Sequence, residues 1–251
     1  MFQLVQVTGQ KGIKRDDVMR TIMVVNSKGG SGKTTMATNL AGFYASRNQV
    51  TVIKDYDPQG SSTEWLKQRP YTMSTIHGLS AFKSSSQYVT RAFAMRLPAN
   101  AERLIIDTPA GVDLKRFITT VKSVDKIVIP VSPSSIDIRA TAMFIHELYK
   151  FKKMHRFNAD IGIVANRADS QSSAYRSMKK IFNNLDMEFV ATLSQNENYI
   201  KAAELGVSLL ELDHPAVSKD KAEWAPLVNW IEDREVVRVT MPEPQLYAVA
   251  D

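Results

Sequence analysis

The stretch Ser27-Lys28-Gly29-Gly30-Ser31-Gly32-Lys33-Thr34-Thr35 stands between an apolar, β-branched segment and a segment with helical periodicity. Glycines in such a turn allow a backbone to approach a ligand closely, so that successive N–H groups and the N-terminus of the following helix point at an anion. The lysine directly after the glycines adds a positive charge. The stretch therefore predicts a phosphate-binding loop between a strand and a helix.

Short apolar segments alternate with longer amphipathic segments over most of the chain. The predicted strands are 21–26, 50–55, 103–107, 126–131 and 160–166, with a further strand at 187–193. The predicted helices are 33–46, 112–122, 136–151 and 174–184, with further helices at 197–205 and 221–233. This alternation is typical of βαβ crossovers. It predicts an α/β fold with a doubly wound, mostly parallel sheet and helices on both faces.

The pattern predicts one P-loop domain over residues 21–233, preceded by a basic extension at 1–20 and followed by a tail at 234–251. Two regions fit the alternation less well. Residues 70–100 show helical patches with weak periodicity, and residues 235–240 offer one more strand. No internal repeat or linker divides the chain, so a single domain with appendages is the simplest interpretation.

Composition narrows the choice of chemistry and of partners. The chain has 251 residues, a formal net charge of +6 and no cysteine. The absence of cysteine excludes disulfides, thiolate zinc sites, cysteine nucleophiles and cysteine-bound iron–sulfur clusters. A surplus of Lys and Arg favours an anionic partner, although a modest surplus also serves solubility. Because no apolar run approaches a membrane span, the expected location is the cytoplasm.

The phosphate loop departs from the standard pattern G-x-x-x-x-G-K-[ST], because Ser27 stands where the first glycine belongs. The stretch resembles instead the deviant Walker A motif, KGGxGK[ST], of the ParA/MinD family of ATPases. This resemblance implies that ATP and Mg²⁺ are the cofactors and that Lys33 binds the β- and γ-phosphates. It further implies that the Thr34 hydroxyl binds Mg²⁺, that Thr35 contacts the α-phosphate, and that the remaining loop residues cradle the phosphates: Gly29, Gly30, Ser31 and Gly32.

The same resemblance gives Lys28 a role in a partner's active site. It implies an ATP-dependent homodimer in which Lys28 reaches the nucleotide of the other subunit. A cation that arrives only on dimerisation would neutralise transition-state charge, as an arginine finger does in trans. The sequence alone leaves open that Lys28 is an ordinary solvated residue.

Two acidic motifs follow at the ends of predicted strands. Asp55-Tyr56-Asp57-Pro58-Gln59-Gly60-Ser61-Ser62 resembles the family's switch I segment, which implies that Asp57 orients the attacking water and Asp55 supports Mg²⁺. The alternative is that Asp57-Pro58 only initiates a turn. Asp107, after the apolar run 104–106, resembles a Walker B aspartate that holds Mg²⁺, with residues 108–111 as switch II.

Asn166, at the end of the strand 160–166, resembles the family's base-contacting asparagine. An amide offers both a donor and an acceptor, which suits the edge of adenine. An asparagine that merely ends a strand is the alternative. The set of cofactor-binding residues implied by the resemblance therefore extends from the phosphate loop to Asn166.

The resemblance is closest to ParA-like positioning ATPases, which implies cargo movement, non-specific DNA binding and hydrolysis that is slow until a ParB-like or other small adaptor protein stimulates it. Such a protein would associate with the nucleoid when ATP is bound. Residues 193–198 lack the arginines that many relatives use for DNA contact. Two other basic clusters could replace them or could be ordinary solvated helix faces: Lys150, Lys152, Lys153 and Arg156, and Arg176, Lys179 and Lys180.

Two other functions remain open. One is a MinD-like regulator of cell division or flagellar placement, and the other is a biosynthetic P-loop relative. MinD-type chains end in a basic amphipathic helix, whereas residues 241–251 contain two prolines and no Lys or Arg. We therefore expect no stable membrane association.

Overall fold

A seven-stranded sheet forms the centre of the computed structural model, which describes residues 19–82, 96–113, 124–155, 157–185 and 187–233. Its strand order is β3-β2-β4-β1-β5-β6-β7, and every neighbouring pair is parallel. The strands are β1 Arg20–Val24, β2 Thr51–Asp55, β3 Ile76–Ser80, β4 Arg103–Asp107, β5 Lys126–Val131, β6 Asp160–Ala165 and β7 Glu188–Thr192. The predicted fold class is confirmed.

Helices pack on both faces of the sheet. They are α1 Lys33–Ala45, α2 Ser61–Gln68, α3 Ser135–His155, α4 Ser173–Asn183, α5 Asn198–Glu204 and α6 Ser218–Ile231, with 3₁₀ turns at Leu209–Glu211 and Pro215–Val217. None of the helices in the described part of the chain is long and apolar enough to cross a bilayer.

Two elements escaped prediction. Helix α2 has only eight residues and buries Ser62 and Trp65, so it carries little helical periodicity. Strand β3 lies at the edge of the sheet, where His77 and Gly78 are exposed, and it therefore lacks the continuous apolar run of a buried strand. Within the region 70–100, where the sequence pattern is weak, Ile76–Ser80 is a strand.

Several predictions fall on residues outside the described ranges. These are the extension up to residue 18, the tail from residue 234 with its strand at 235–240, and Arg156. Of the helix predicted at 112–122, Val112 and Asp113 are described and are not helical, while the remainder lies outside the described ranges.

Successive residues of β1 enter two separate cores. Ile22 and Val24 pack on the face covered by α1 and α6, whereas Met23 and Val25 pack on the opposite face, which α3 and α4 cover. Side chains alternate between the faces of a strand, so a strand buried on both faces must be apolar at every position. This requirement explains the uninterrupted apolar run from Ile22 to Val25.

The order of the strands fixes the place of a ligand site. From β1 the chain crosses to β2 on one side, and from β4 it crosses past β1 to β5 on the other. In open α/β sheets, such a reversal leaves a crevice at the carboxyl ends of the strands. The loop after β1, Asp55 at the end of β2 and Asp107 at the end of β4 all lie at this edge.

A buried polar network joins α1 to the 3₁₀ turn at Leu209–Glu211 and, through that turn, to the end of α2. Asn39 donates to the Thr35 carbonyl oxygen at 2.7 Å and accepts from the backbone N–H of Leu209 at 2.8 Å. Glu211, at the end of that turn, accepts two hydrogen bonds from Arg69, which follows α2. The side chains of Arg69 and Glu211 are 6% and 1% exposed, so their charges depend on each other.

We predict that Glu211→Ala lowers the free energy of unfolding by about 3–5 kcal/mol, because it leaves a buried guanidinium without its carboxylate. Urea denaturation followed by circular dichroism measures this loss. The control is Glu64→Ala, which removes an exposed pair with Lys67 and should cost about 0–1 kcal/mol. Equal losses in the two variants would contradict the prediction.

Candidate nucleotide-binding site

The loop between β1 and α1 is fixed by its own side chains and by its neighbours. The Asn26 side chain accepts from the Lys28 backbone N–H at 3.1 Å and donates to the Pro130 carbonyl oxygen at 2.7 Å. The Gly111 N–H donates to the Ser27 carbonyl oxygen at 2.9 Å. The loop is therefore held between the ends of β5 and β4.

Helix α1 begins at Lys33 after Gly32, which has φ of 96° and carries no capping side chain. The first N–H groups of α1 remain available to an anion.

Lys33 lies in the centre of the loop. Its side-chain ammonium donates to the Lys28 carbonyl oxygen at 3.0 Å, and the residue is buried. Burial lowers the pKa of Lys33, while the carboxylates of Asp107 and Asp57 raise it and so oppose the shift. The structure therefore brings together Lys33 and two of the predicted carboxylates.

Asp107 is fully buried at the end of β4, and neither carboxylate oxygen has a hydrogen-bond partner within the described ranges. Burial raises the pKa of Asp107 to about 7. Asp55 and Asp57 also raise it, whereas the nearby hydroxyls of Thr34 and Ser62, which do not reach hydrogen-bond geometry, lower it. The Ser62 hydroxyl is itself fully buried and without a partner in this part of the structure.

These oxygens suit a hard divalent cation. Mg²⁺ prefers oxygen ligands and is held in nucleotide sites by one or two carboxylates together with substrate phosphates. The residues that the structure describes contain no cluster of three His, Asp or Glu side chains arranged for a metal. The orphaned carboxylate of Asp107, with the hydroxyls of Thr34 and Ser62 beside it, therefore fits a metal that a bound nucleotide helps to hold.

The two aspartates after β2 shape their own loop. Asp55 is buried and accepts from the backbone N–H of Asp57 at 3.0 Å and from the Thr63 hydroxyl at 2.7 Å. Asp57 is half-buried and accepts from the Gln59 N–H at 2.9 Å. Asp55 thus joins the end of β2 to the start of α2, while Asp57 forms a turn and also lies close enough to Lys33 to influence its pKa.

Lys28 lies at the outer side of the loop. Its side chain is 43% exposed, and its ammonium is 4.0 Å from a carboxylate oxygen of Asp137 in the first turn of α3. At this distance and exposure the pair contributes little to stability. The structure therefore places the Lys28 side chain partly in solvent, beside the first turn of α3.

Asn166 packs directly against the phosphate loop. Its amide nitrogen donates to the Ser31 carbonyl oxygen at 2.8 Å, and a Cβ at Gly32 would lie 2.2 Å from that nitrogen. Beside Asn166 and Thr35 opens a cavity of about 730 Å³, whose far wall is formed by residues 194–197 and the outer face of α5. Beyond the bond to Ser31, the Asn166 amide still has its oxygen as an acceptor and its second N–H as a donor.

The sequence prediction missed two parts of this site. Ser62 is polar in a polar segment, and only its burial beside Asp107 distinguishes it. Residues 194–197 were considered only for DNA contact, since nothing in their sequence shows that β7 pairs with β6 and brings them to the cavity.

Comparison with known proteins gives a family match over most of the chain. Residues 22–209 match the model of the CobQ/CobB/MinD/ParA nucleotide-binding domain. Maintenance of carboxysome distribution protein A of Halothiobacillus neapolitanus is 26% identical over 76% of this chain and 87% of that protein. The protein of the same name from Gloeobacter kilaueensis is 28% identical over 51% of this chain, and that match spans 56% of the relative's own length.

Solved structures share the fold. A Cyanothece McdA variant in complex with ATP superposes with a TM-score of 0.61 at 20% identity, over 87% of this chain and 98% of the other. The MinD cell division protein of Aquifex aeolicus gives a TM-score of 0.64 at 16% identity, over 86% and 98% of the two chains.

We predict that Gly32→Ala lowers the free energy of unfolding of the ligand-free protein by about 1–3 kcal/mol, because an alanine is strained at this φ and its Cβ collides with Asn166. Gly29→Ala is the matched control. A Cβ there lies 3.8 Å from Ala110 with no positive φ, and it should cost at most about 0.5 kcal/mol. Urea denaturation distinguishes the two, and a Gly32→Ala variant as stable as the control contradicts the prediction.

Proposed function

Because the chain belongs to the CobQ/CobB/MinD/ParA nucleotide-binding family, we propose that it is a ParA-like positioning ATPase that binds Mg²⁺-ATP and dimerises through it. The dimer binds DNA non-specifically, and a ParB-like or other small adaptor protein stimulates hydrolysis and release. The cargo is a plasmid, a chromosome origin or a protein assembly such as a carboxysome. The relatives named for carboxysome distribution support the last of these.

The observation that carries the proposal is the meeting of Lys33 with Asp107 and Asp57 at the open N-terminus of α1. A buried carboxylate without partners is costly. In the ligand-free chain, Lys33 lowers this cost only in part, because burial also lowers the pKa of its own ammonium. A bound Mg²⁺-ATP would provide a cation beside the Asp107 carboxylate and phosphate anions beside the Lys33 ammonium.

Each residue of the site then has a defined task. Lys33 leaves the Lys28 carbonyl oxygen and binds the β- and γ-phosphates, while the N–H groups of the glycine-rich loop cradle them. Asp107 and Thr34 hold Mg²⁺, which neutralises phosphate charge when bound. Asp55 supports that site by holding the start of α2, and Asp57 orients the attacking water.

Asn166 supports adenine as the base. Its amide nitrogen uses one N–H for the Ser31 carbonyl oxygen, which leaves the second N–H as a donor and the amide oxygen as an acceptor. A donor beside an acceptor matches a ring nitrogen and the exocyclic amine of adenine. This match supports ATP as the ligand.

Lys28 supplies the charge for the partner subunit in this proposal. Its side chain is 43% exposed, and its ammonium lies 4.0 Å from a carboxylate oxygen of Asp137. Reaching across a dimer, it adds a cation beside the partner's phosphates, where developing charge is stabilised. Hydrolysis by the monomer is accordingly slow.

Support for DNA binding comes from charge. The net charge is +6, and Lys150, Lys153, Lys179 and Lys180 are exposed on the adjoining helices α3 and α4. Lys150 lies 3.4 Å from Glu147, which reduces the free charge of that cluster. Phosphate contacts by such side chains release counterions and are independent of base sequence.

We predict that Lys33→Ala weakens ATP binding roughly 10–100-fold, because it removes charge-assisted hydrogen bonds to phosphate. Lys28→Ala should leave ATP affinity within about threefold but prevent the ATP-dependent dimer. Isothermal titration calorimetry measures the first effect, and light scattering after size-exclusion chromatography with ATP and Mg²⁺ measures the second. A Lys28→Ala chain that dimerises like the wild type would refute the role in trans.

The buried hydroxyl of Ser62 generates a second prediction. Ser62→Ala should raise the Mg²⁺ concentration needed for half-maximal ATP binding about 3–10-fold, because it removes an oxygen from the metal site. Ser61→Ala is the control, since Ser61 is the exposed neighbour in the same helical turn. A Mg²⁺ titration with a fluorescent ATP analogue gives the two midpoints. Identical midpoints would exclude Ser62 from the site.

A further inference from the structure

One wall of the cavity beside Thr35 and Asn166 is a short loop, residues 194–197, between β7 and α5. Backbone hydrogen bonds fix where the loop begins: the Leu193 N–H donates to the Ala165 carbonyl oxygen at 2.8 Å, and the Ala168 N–H donates to the Leu193 carbonyl oxygen at 2.9 Å. Beyond Leu193 the polar groups of the loop need other partners.

Two carboxylates of α6 supply those partners. Glu223 accepts from the Ser194 N–H at 2.7 Å and from the Ser194 hydroxyl at 2.9 Å. Asp220 accepts from the side-chain amide of Asn196 at 3.0 Å and from that of Asn198 at 2.8 Å. The loop is thus bound to α6 at Ser194 and Asn196, and the first residue of α5, Asn198, is bound there too, so that residues 194–198 form one attached segment, the 194–198 loop.

Because Asp220 is buried, its hydrogen bonds contribute strongly to the shape of the loop. The residue is fully buried, and its hydrogen-bond partners within the described ranges are neutral amides rather than a basic side chain. Hydrogen bonds to an ionised carboxylate are about twice as strong as those between neutral groups. A buried carboxylate satisfied in this way fixes the direction of each amide that it binds.

The phosphate end of the site does not depend on these bonds. The loop after β1 is held by Asn26, by the Gly111 N–H and by Asn166. Asp220 and Glu223 contact none of these groups, and neither lines the cavity. Their hydrogen bonds reach the cavity through residues 194–198, and both carboxylates also lie within electrostatic reach of Tyr199, which lines the cavity.

We propose that Asp220 and Glu223 are positioning residues for the base of the bound nucleotide: they hold the 194–198 loop in the shape that receives the base, without touching the nucleotide. This inference rests on the proposed function, because it takes the ligand of the cavity to be ATP. It separates base binding, which depends on α6, from phosphate binding, which depends on the loop after β1.

The test compares two ligands that differ in the base and ribose. Affinities of the full chain for Mg²⁺-ATP and for Mg²⁺-tripolyphosphate are measured by competition with a fluorescent ATP analogue. Glu223→Ala and Asp220→Ala should each weaken ATP binding about tenfold, as expected for lost hydrogen bonds to a charged group, and leave tripolyphosphate binding within about twofold. Glu223→Gln keeps an acceptor oxygen and should restore most of the ATP affinity.

Lys219→Ala is the matched control, because Lys219 is 81% exposed in the same turn and lies 4.0 Å from Glu223. It should change neither affinity. If Asp220→Ala fails to fold, Glu223→Ala decides the matter, since the Glu223 side chain is 19% exposed and its removal leaves no buried charge.

The outcomes separate the inference from the function on which it rests. Equal loss of both ligands in Glu223→Ala, or no loss of either, overturns the inference. A wild-type chain that binds neither ATP nor tripolyphosphate overturns the proposed function itself. Loss confined to ATP, with rescue by glutamine, establishes Glu223 as a positioning residue.

Discussion

The parallel register of three central strands is the constraint on which the site depends. Val24 of β1 pairs with Asp107 of β4, and Asp107 pairs in turn with Asp55 of β2. Two carboxylates are therefore fixed side by side at one edge of the sheet, both buried. Burial raises the pKa of the Asp107 carboxyl, and the neighbouring Asp55 carboxylate raises it further. Asp55 accepts hydrogen bonds from its own loop, whereas Asp107 accepts none within the described ranges. Of these two carboxylates, Asp107 is therefore the one whose oxygens have no hydrogen-bond partner in the described part of the chain.

Much of the sheet could be predicted because a central parallel strand must be apolar on both faces. β1, β4, β5 and β6 meet this requirement, and their predicted bounds agree with the structure to within two residues. β3 escaped because one of its edges has no neighbouring strand and its faces are partly exposed. Helix α2 escaped because its burial comes from Ser62 and Trp65 rather than from a repeating apolar stripe.

The site divides in the same way. Residues 28–35 are contiguous, so a phosphate-binding loop can be predicted from the sequence. Asp55 and Asp107 can be predicted as candidate site residues because each follows an apolar strand. Asn166 was predicted as a base contact, yet the structure adds its bond to the Ser31 carbonyl oxygen, which depends on Gly32 leaving room for the amide. The 194–197 loop, Asp220 and Glu223 are brought together only by tertiary structure. No local pattern distinguishes these carboxylates from solvated helix residues.

This division has a physical cause. A phosphate is bound by backbone N–H groups and a helix N-terminus, which a short segment provides by itself. A base is bound by the shape of a cavity and a few directed polar groups, which distant segments must provide together.

In this chain α1 contributes to the phosphate loop and to the cavity. Thr35 borders the cavity, and its carbonyl oxygen accepts from Asn39, which in turn binds the turn at Leu209–Glu211. A displacement of that turn would therefore reach the phosphate end through α1. A displacement of α6 would reach the base end through the 194–198 loop. The proposed phosphate-binding and base-binding parts of the site therefore depend on different segments, the turn at Leu209–Glu211 and helix α6.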